Sequence, residues 1–576
     1  MPMKLLFNFL VFICFINFTA NSQSVAQYAG NRLMLKLKTD FHKLYIDRIK
    51  LPVSNIQKTE SPLTSFDNLN NKWGVEKQTP IIIENKVPCI ILQFTKNVNI
   101  PEAVSAYKQT QLFEYVEPDY IGRGDGECVE QKISELERIY PPNAEPNDTY
   151  FSKQWGLLNK GDFSTSAIAG QDIKMTDAWN ITKGSSEVVV CILDSGAPLD
   201  HPELAGRIWT NTKEIAGNGI DDDGNGYIDD VQGWNFADNN NNPYDNEGHG
   251  SNVTGIIGST GNNNLGYAGM DWNCKLMIVK GLDATNSGFY SWWISGIYYA
   301  VKNGAKVINL SLVGNDNSSM LNDAVTYAWN NGVTTVICMG NDNGGIARYP
   351  AGFHQSINVG SVDPNGKRSV PFFWSASSGS NYGQHIDVTA PGNYIYGISY
   401  KSLSNYNYYW GGTSQATPHV TGLVSLMLSI DKTLTPSRIR DIIRTSSDDQ
   451  TTNSSEDAPG FDIYNGYGRI NAPRALRALI TDTKDINSLL KIYPNPSNGN
   501  LNIHLDENLS NRAVLNIYNS FGQSVFSEKI NVASMQKDFS LLTPVLKGLH
   551  FIKLTDNSKN YFLKINFRIV SQFYKM

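Results

Sequence analysis

The stretch Val188-Val-Val-Cys-Ile-Leu-Asp-Ser-Gly196 is an apolar run, rich in valine, that ends in an aspartate and a glycine. Such a run predicts a buried strand, and its final aspartate would stand at the edge where parallel sheets carry their functional sites. Similar runs alternate with longer helical runs, which predicts an α/β fold with a parallel sheet flanked by helices. The predicted strands lie at 187–193, 276–280, 306–312 and 333–338, and the predicted helices at 289–303 and 320–331.

Two further motifs carry residues suited to catalysis. Gly248-His-Gly250 places an imidazole between glycines, which let the backbone bring the ring close to other groups. In Gly411-Gly-Thr-Ser-Gln-Ala-Thr-Pro418, Ser414 opens a predicted helix, and Pro418 is expected in its first turn, where proline costs no hydrogen bond. Each motif alone has an ordinary structural explanation, because a lone histidine is often a core residue and a serine often caps a helix.

Together with Asp194, these residues form a complete set for covalent catalysis. A serine hydroxyl is a poor nucleophile at neutral pH, so it needs an imidazole base that is oriented by a buried carboxylate. The chain holds the three residues in the order Asp194, His249, Ser414. In these motifs and in their order, the chain resembles the subtilisin-like serine proteases (subtilases) over residues 147–479.

That resemblance implies further site residues. In Val336-Ile-Cys-Met-Gly-Asn341, the asparagine would complete the oxyanion hole together with the backbone N–H of Ser414. Residues 311–314 resemble the strand that pairs with substrate, although an extra Val313 interrupts the Ser-Leu-Gly pattern of the family and leaves the register open. The implied substrate-binding residues are Ser311, Leu312, Gly314, Met339, Gly340 and Arg348.

Arg348 is implied in specificity because it precedes the Tyr349-Pro350 pair, and this segment lines the base of the substrate pocket in the family. A guanidinium there would match a carboxylate, so we expect a preference for Glu or Asp, or discrimination against Lys and Arg, before the scissile bond. The alternative is that Arg348 points to solvent or pairs with Asp342.

Two acidic loops precede His249. The first carries oxygen ligands with the spacing of a calcium loop and Gly226 at its sixth position, but Gln232 stands where an EF-hand has glutamate. The alternative for this loop is a solvated acidic turn. The second loop resembles a weaker calcium site of some subtilases. The candidate calcium ligands are Asp221, Asp223, Asn225, Tyr227 and Asp229 in the first loop, and Asp238, Asn240, Asn242 and Asp245 in the second.

The beginning of the chain predicts export. Lys4 precedes an apolar run at 5–18, which at about 1.5 Å per residue is too short to span a hydrocarbon core of about 30 Å. We therefore predict a secretory signal peptide at 1–22 rather than an N-terminal anchor, and no transmembrane anchor later in the chain. Cys191 and Cys338 lie in β-branched runs, which favours small core residues over disulfides or metal ligands.

The flanking blocks resemble companions of the family. Residues 23–143 predict a small α+β unit that resembles the inhibitory propeptide of subtilases, with Tyr115-Val-Glu-Pro-Asp-Tyr120 as its end and a cut between Gly122 and Asn147. A catalytic domain would occupy 144–480. Residues 486–576 predict a C-terminal β-sandwich that resembles the sorting domain of type IX secretion substrates. The alternative is a generic β-sandwich that binds carbohydrate or packs on the protease.

Composition excludes other classes. The 576 residues carry a net charge of −6 without a basic block, which argues against a nucleic-acid partner. We predict a secreted or surface-exposed bacterial serine endopeptidase, made as an inactive precursor, exported through the periplasm and stabilised by structural Ca²⁺. Its partners would be protein substrates, its own propeptide and the type IX secretion machinery. The alternatives are a catalytically inactive adhesion protein and an esterase or amidase using the same triad.

Overall fold

The computed structural model describes residues 26–50, 61–130, 145–449 and 455–481, followed by seven strands between residues 490 and 567. The predicted signal peptide lies outside the described residues. Within the described part of the chain, no helix is long and apolar enough to cross a membrane.

The first unit is an antiparallel sheet covered by helices. Its sheet has the strand order β4-β1-β3-β2, and the helix predicted near 102–111 is α3, which begins after the N-cap Asn99. Leu33, Phe66 and Tyr107 are fully buried in its core. The elements are β1 (Tyr28–Leu37), α1 (Thr39–Ile49), α2 (Thr64–Trp73), β2 (Val75–Ile83), β3 (Lys86–Phe94), α3 (Ile100–Gln109), β4 (Phe113–Gly124) and β5 (Glu127–Glu130).

A seven-stranded parallel sheet forms the centre of the molecule, which confirms the predicted α/β fold. Side chains of its central strand alternate between two cores: Val190 and Ile192 pack on one face, and Cys191 and Leu193 on the other. Burial on both faces explains why these strands read as continuous apolar runs. In sheet order, the strands are β14 (Val388–Pro391), β13 (Ile357–Val362), β12 (Thr334–Cys338), β10 (Val307–Leu310), β6 (Val189–Asp194), β8 (Lys275–Lys280) and β7 (Gly233–Asn235).

Helices cover both faces of this sheet. Residues of α5, α8, α9 and α10 join the core that contains Val190, whereas α6 and α7 join the core that contains Leu193. The predicted helices at 289–303 and 320–331 correspond to α6 and α7. The helices are α4 (Met175–Ala178), α5 (His249–Gly258), α6 (Tyr290–Lys302), α7 (Ser319–Asn330), α8 (Thr413–Ile430), α9 (Pro436–Ser446) and α10 (Ala472–Thr481).

The prediction for Pro418 was wrong, because α8 begins at Thr413 and carries this proline beyond its first turn. A proline in a helix interior leaves the carbonyl four residues earlier without its usual N–H partner. That carbonyl belongs to Ser414, and the Oγ of Ser311 donates to it instead at 2.8 Å. Ser311, at the neighbouring edge of the sheet, thus supplies the hydrogen bond that Pro418 cannot give to the backbone carbonyl of Ser414.

The strands after residue 489 form two antiparallel sheets. One has the order β17-β18-β21 and the other β20-β19-β22-β23. The strands predicted from the alternating pattern are present, while their arrangement as a face-to-face sandwich stays a prediction. Their bounds are β17 (Leu490–Tyr493), β18 (Asn500–Leu505), β19 (Val514–Asn519), β20 (Ser524–Lys529), β21 (Asp538–Leu542), β22 (Gly548–Asp556) and β23 (Lys559–Phe567).

Candidate active site

The parallel sheet and two helices bring the three predicted catalytic residues to one edge. Asp194 is the last residue of β6, His249 the first of α5 and Ser414 the second of α8. The Nδ1 of His249 lies 2.7 Å from Asp194 Oδ1, which also accepts a hydrogen bond from the backbone N–H of Ser195 at 2.7 Å. All three predicted residues are fully buried.

The hydroxyl of Ser414 makes a different contact from the one expected of a nucleophile. It donates to the backbone carbonyl of Ser311 at 3.1 Å, and the sulfur of Cys338 lies 3.9 Å away. The Nε2 of His249 is buried and has no hydrogen-bond partner among the described residues. The pair Asp194–His249 is therefore assembled, while the hydrogen bond between Ser414 and His249 is not formed in this state.

The electrostatic surroundings of His249 favour its protonated form. Burial is the largest single influence and lowers the pKa of this imidazole, but the charge and hydrogen bond of Asp194, together with the charges of Glu247 and Asp245, outweigh it. The net effect raises the pKa of His249 to about 9. An imidazolium formed during a reaction would therefore be stabilised here.

Two residues that the sequence patterns did not single out, and one predicted calcium ligand, hold the histidine in place. Glu247 accepts a hydrogen bond from the backbone N–H of His249 at 2.7 Å, and the Trp410 ring packs edge-on against the imidazole. Asp245, predicted as a calcium ligand, accepts from the backbone N–H groups of Glu247, Gly248 and Ser251 and from two serine hydroxyls. Its carboxylate therefore anchors the start of α5, and its predicted metal role stays a prediction.

Asn341 presents an amide donor at the site. Its Oδ1 accepts hydrogen bonds from the backbone N–H and hydroxyl of Thr413 at 2.8 and 3.1 Å, which fixes the side chain. Its Nδ2 is buried and has no hydrogen-bond partner among the described residues. Ser414 stands in the first turn of α8, where backbone N–H groups lack a partner within the helix. The site thus brings the Asn341 amide and the free N–H groups of the first helical turn together at the start of α8.

Strands line the cleft on both sides of Ser414. On one side lie β9 (Ser287–Phe289) and β11 (Leu312–Gly314), and on the other lie β15 (Ile395–Tyr396) and β16 (Tyr408–Gly411). The predicted strand 306–312 is therefore divided into β10 and β11 at Ser311. Sequence reasoning missed β9 and β16 as cleft walls: no distinctive motif adjoins β9, and the motif that begins at Gly411 drew attention to Ser414 rather than to the strand before it.

The first unit of the chain enters this cleft. Its strand β4 contains the segment Tyr115–Tyr120 that was expected to end the unit, continues to Gly124 and pairs with both β11 and β9. Val313, the residue that the family pattern lacks, lies in β11 opposite Arg123 of β4. The pairing therefore defines the register of β11, which the sequence left open. Beyond it, β5 pairs with β16.

The predicted pocket residues lie around the same segment. Met339 is fully buried, and Gly340 has a positive φ of 99°, where an added Cβ would lie 2.5 Å from the amide nitrogen of Asn381. Arg348 is partly exposed and its guanidinium pairs with Asp342 at 2.8 Å, the arrangement weighed as the alternative to a pocket role. Arg348 also lines a cavity of about 250 Å³ beside Arg123, so it lies close to the occupied cleft.

Part of the first acidic loop converges on one point. Oxygen atoms of Asp221, Asp223 and the unpredicted Glu214 lie within 4.8 Å of one another. Asp229 turns away, and its carboxylate accepts from the backbone N–H groups of Asn218 and Gly219. In the described part of the chain, no second group of three such acidic, histidine or cysteine ligands converges in this way.

The remaining candidate ligands mainly organise the loops. The Oδ1 of Asn225 accepts from the backbone N–H of Tyr227, whose ring packs against Trp234. In the second loop, Asp238 and Asn235 exchange hydrogen bonds. Asn240 and Asn242 likewise accept from backbone N–H groups two residues further along the chain, at Asn242 and Tyr244.

Comparison with known proteins agrees with this geometry. The model of the subtilase family matches residues 185–468, and a model described as a secretion system C-terminal sorting domain matches residues 491–568. Thermitase of Thermoactinomyces vulgaris is 35% identical over 337 residues, which cover 58% of this chain and 99% of thermitase. A thermophilic serine proteinase of a Bacillus species is 32% identical over 380 residues, covering 66% and 76% of the two chains.

The fold and these relatives define a serine protease that carries a C-terminal sorting domain. The chain belongs to the subtilase family. Its sorting domain indicates a secreted or surface-exposed protein.

Proposed function

We propose that this chain is a secreted endopeptidase that uses Asp194, His249 and Ser414 as a catalytic triad and is made as an inactive precursor. The observation that carries this proposal is the 2.7 Å contact between buried Asp194 and His249 at the sheet edge beside Ser414. The charge of Asp194 orients the imidazole and stabilises the imidazolium that forms when His249 takes the Ser414 proton.

In the proposed reaction, the Ser414 hydroxyl leaves Ser311 and turns to His249. Its Oγ attacks the substrate carbonyl carbon while Nε2 of His249 accepts the proton. His249 then gives this proton to the leaving amine, and an acyl-enzyme remains on Ser414. Water, activated by the same imidazole, hydrolyses the ester and restores the enzyme.

Asn341 is the proposed side-chain donor of the oxyanion hole. Its unpartnered Nδ2 and the Ser414 N–H are the donors that would meet the charge on the former carbonyl oxygen. Because such donors act mainly on the transition state, we expect Asn341→Leu to lower kcat by about 10²–10³-fold with little change in KM.

Steady-state kinetics on a peptide substrate measures this effect, and Asn331→Leu at the exposed end of α7 serves as a matched control. A loss confined to KM would remove Asn341 from the oxyanion hole.

The first unit is the proposed intramolecular inhibitor, comprising residues 23–143 ahead of a catalytic domain at 144–480. Two of its carboxylates dock on helix N-termini of the protease. Glu117 accepts hydrogen bonds from Ser318 Oγ and Ser319 N at the start of α7, and Asp119 accepts from Ser291 N and Oγ at the start of α6. Helix N-termini favour negative charge, so these contacts stabilise the docked state and the strand in the cleft blocks substrate.

The alternative is an inactive protein used for adhesion on the cell surface. A fluorophosphonate probe separates the two, because it reacts covalently only with an activated serine. We expect the processed protein to be labelled, Ser414→Ala to be unlabelled and the exposed control Ser377→Ala to be labelled normally. Absence of labelling in the processed wild-type protein would support the adhesion protein. Relative turnover of protein and small-ester substrates then distinguishes an endopeptidase from an esterase or amidase.

The C-terminal domain at 486–576 is proposed to direct export by the type IX machinery, after a signal peptide at 1–22 has taken the chain to the periplasm of a bacterium. The match to a sorting-domain model over residues 491–568 supports this role. The chain would then act at the outer surface or be released.

Calcium is the proposed structural cofactor, held by Glu214, Asp221 and Asp223. Oxygen ligands of this kind suit Ca²⁺, and no lysine or arginine of the described chain forms a salt bridge with these three carboxylates. An ion would supply the positive charge that offsets their mutual repulsion. The backbone N–H of Asn225 donates to the carboxylates of both Asp221 and Asp223, which holds the two carboxylates close together.

An ion that binds only the folded state raises the free energy of unfolding, and the increase grows with the concentration of free ion. It reaches about 2.7 kcal/mol when that concentration is 100 times the Kd. We therefore expect chelation to lower the thermal midpoint of the wild-type protein and to change little in an Asp221→Asn/Asp223→Asn variant. Differential scanning calorimetry with EDTA and with added Ca²⁺ measures both. A wild-type midpoint that EDTA leaves unchanged would refute a labile calcium in this loop.

A further inference from the structure

The segment that fills the cleft lies there as an extended substrate on both sides of Ser414. Before Asp125, Gly122 and Gly124 pair with Gly314 and Leu312 of β11, while the opposite edge pairs with β9. After Gly126, the strand β5 pairs with β16, with Glu127 opposite Gly411. Only Asp125 and Gly126 lie between the two paired stretches.

Both registers converge on the peptide bond between these two residues. One step beyond the pair Leu312–Gly124 places Asp125 opposite Ser311, whose carbonyl accepts the Ser414 hydroxyl at 3.1 Å. One step before the pair Gly411–Glu127 places Gly126 opposite Gly412.

The contacts around Gly412 locate the carbonyl of this bond. The backbone oxygen of Asp125 and the Nδ2 of Asn341 each lie 2.8 Å from the position that a Cβ on Gly412 would occupy. The Asp125 carbonyl oxygen and the proposed oxyanion donor therefore border the same small space at Gly412, without a hydrogen bond between them.

We propose that Ser414 cuts the precursor between Asp125 and Gly126, and that the enzyme is selective for substrates of the same kind, with an acidic residue before the cut and small residues around it. This inference rests on the proposed triad. Ser414 Oγ would bond to the Asp125 carbonyl carbon, and the bond from that carbon to the Gly126 nitrogen would break. The proton taken by His249 would pass to that nitrogen. Water would then release Asp125 as a carboxylate and return Ser414.

The side chain of Asp125 is enclosed. It is 4% exposed, and its Oδ2 has no hydrogen-bond partner within the described part of the chain. Burial raises the pKa of Asp125 to about 6, and the charge of Asp342 acts in the same direction. The positive charges of Arg123, His249 and Arg348 oppose this rise. A lysine in the same place would meet the same burial, and the positive charges of Arg123 and Arg348 would repel it.

The neighbouring positions of the segment are sterically limited. A Cβ on Gly122 would lie 2.2 Å from the Trp293 ring and 2.7 Å from the backbone oxygen of Val313. A Cβ on Gly124 would lie 2.2 Å from Asn286 Oδ1, and one on Gly126 2.7 Å from Gln415 Oε1. Glycine is therefore the residue that fits second and fourth before the cut, and a small residue fits after it.

Self-cleavage of the purified full-length precursor tests the bond, with N-terminal sequencing of the new fragment and intact mass of the released one. The expected fragment begins at Gly126, and its formation requires Ser414. Cleavage that requires Ser414 but falls at another bond would overturn this inference and leave the proposed function standing. If no cleavage requires Ser414 and the protein has no peptidase activity, both fail.

The selectivity is tested with the processed enzyme and an eight-residue peptide of residues 122–129. Replacing the aspartate by lysine, or the glycine before it by valine, should lower kcat/KM by about 10–200-fold, as is typical for an ill-fitting pocket. Replacing Val by Ala at the position of Val129, an exposed side chain four residues after the cut, is the matched control. Equal turnover of the aspartate and lysine peptides would refute the acidic preference, and equal turnover of the valine peptide would refute the small-residue requirement.

Discussion

Ser414→Ala should abolish peptidase activity and leave the precursor uncut. In another member of this family, loss of the nucleophile lowers kcat by about 10⁶-fold, and the triad geometry gives the same expectation here. The fold should persist, because the backbone carbonyl of Ser414, which Ser311 Oγ satisfies, is retained in the variant.

Turnover of casein and gel analysis of the expressed chain measure this loss, and an unchanged thermal midpoint verifies folding. The exposed control Ser377→Ala should mature normally. A Ser414→Ala chain that is processed like the wild type would show that another protease performs the maturation. Retained casein turnover would exclude Ser414 as the nucleophile.

Asp194→Asn should slow the reaction by about 10⁴-fold, because an amide at this position holds His249 in the wrong tautomer. It should also change the pH dependence. With the carboxylate charge removed, burial becomes the larger influence and the pKa of His249 falls from about 9. Since the base must be neutral, the rise of the remaining activity with pH should move to lower pH.

The rate of precursor self-cleavage as a function of pH measures both effects, with exposed Asp441→Asn as the control. A variant that loses rate without any shift of its pH profile would mean that Asp194 does not set the charge state of His249. A variant with wild-type rate would exclude it from the triad.

The sheet could be predicted from the sequence because strands that are buried on both faces carry apolar residues at successive positions. Strands such as β6 and β12 are continuous apolar runs, and each predicted boundary lies within two residues of the observed one. The position of Asp194 also follows from the topology, since the carboxyl ends of parallel strands share one edge, whereas His249 begins α5 after a long loop.

The strand in the cleft could not be predicted in the same way. Gly122-Arg-Gly-Asp-Gly126 has low β propensity and is typical of a turn or linker. Its first three residues are extended because β9 and β11 pair with them from distant parts of the chain, and β16 pairs with the strand β5 that follows. Strand formation of this kind depends on tertiary contacts, which local sequence patterns do not contain.

Two details of the site show the same limit. Glu214 joins Asp221 and Asp223 although it lies outside the loop whose spacing suggested calcium. The sequence leaves open whether Arg348 faces the pocket or pairs with Asp342, and their contact depends on where the Tyr349 segment pairs with Gly314. Side-chain partners across loops are set by three-dimensional placement.

Covalent catalysis by Ser414 is the central claim, and trapping the acyl-enzyme tests it most directly. The processed enzyme is mixed with a peptide ester, quenched in acid within the first turnovers and analysed by fragment mass spectrometry. We expect the fragment that contains Ser414 to gain the mass of the acyl group. The amount of this modified fragment should rise together with the burst of released alcohol. An adduct on another residue, or turnover without any adduct and burst, would contradict the account.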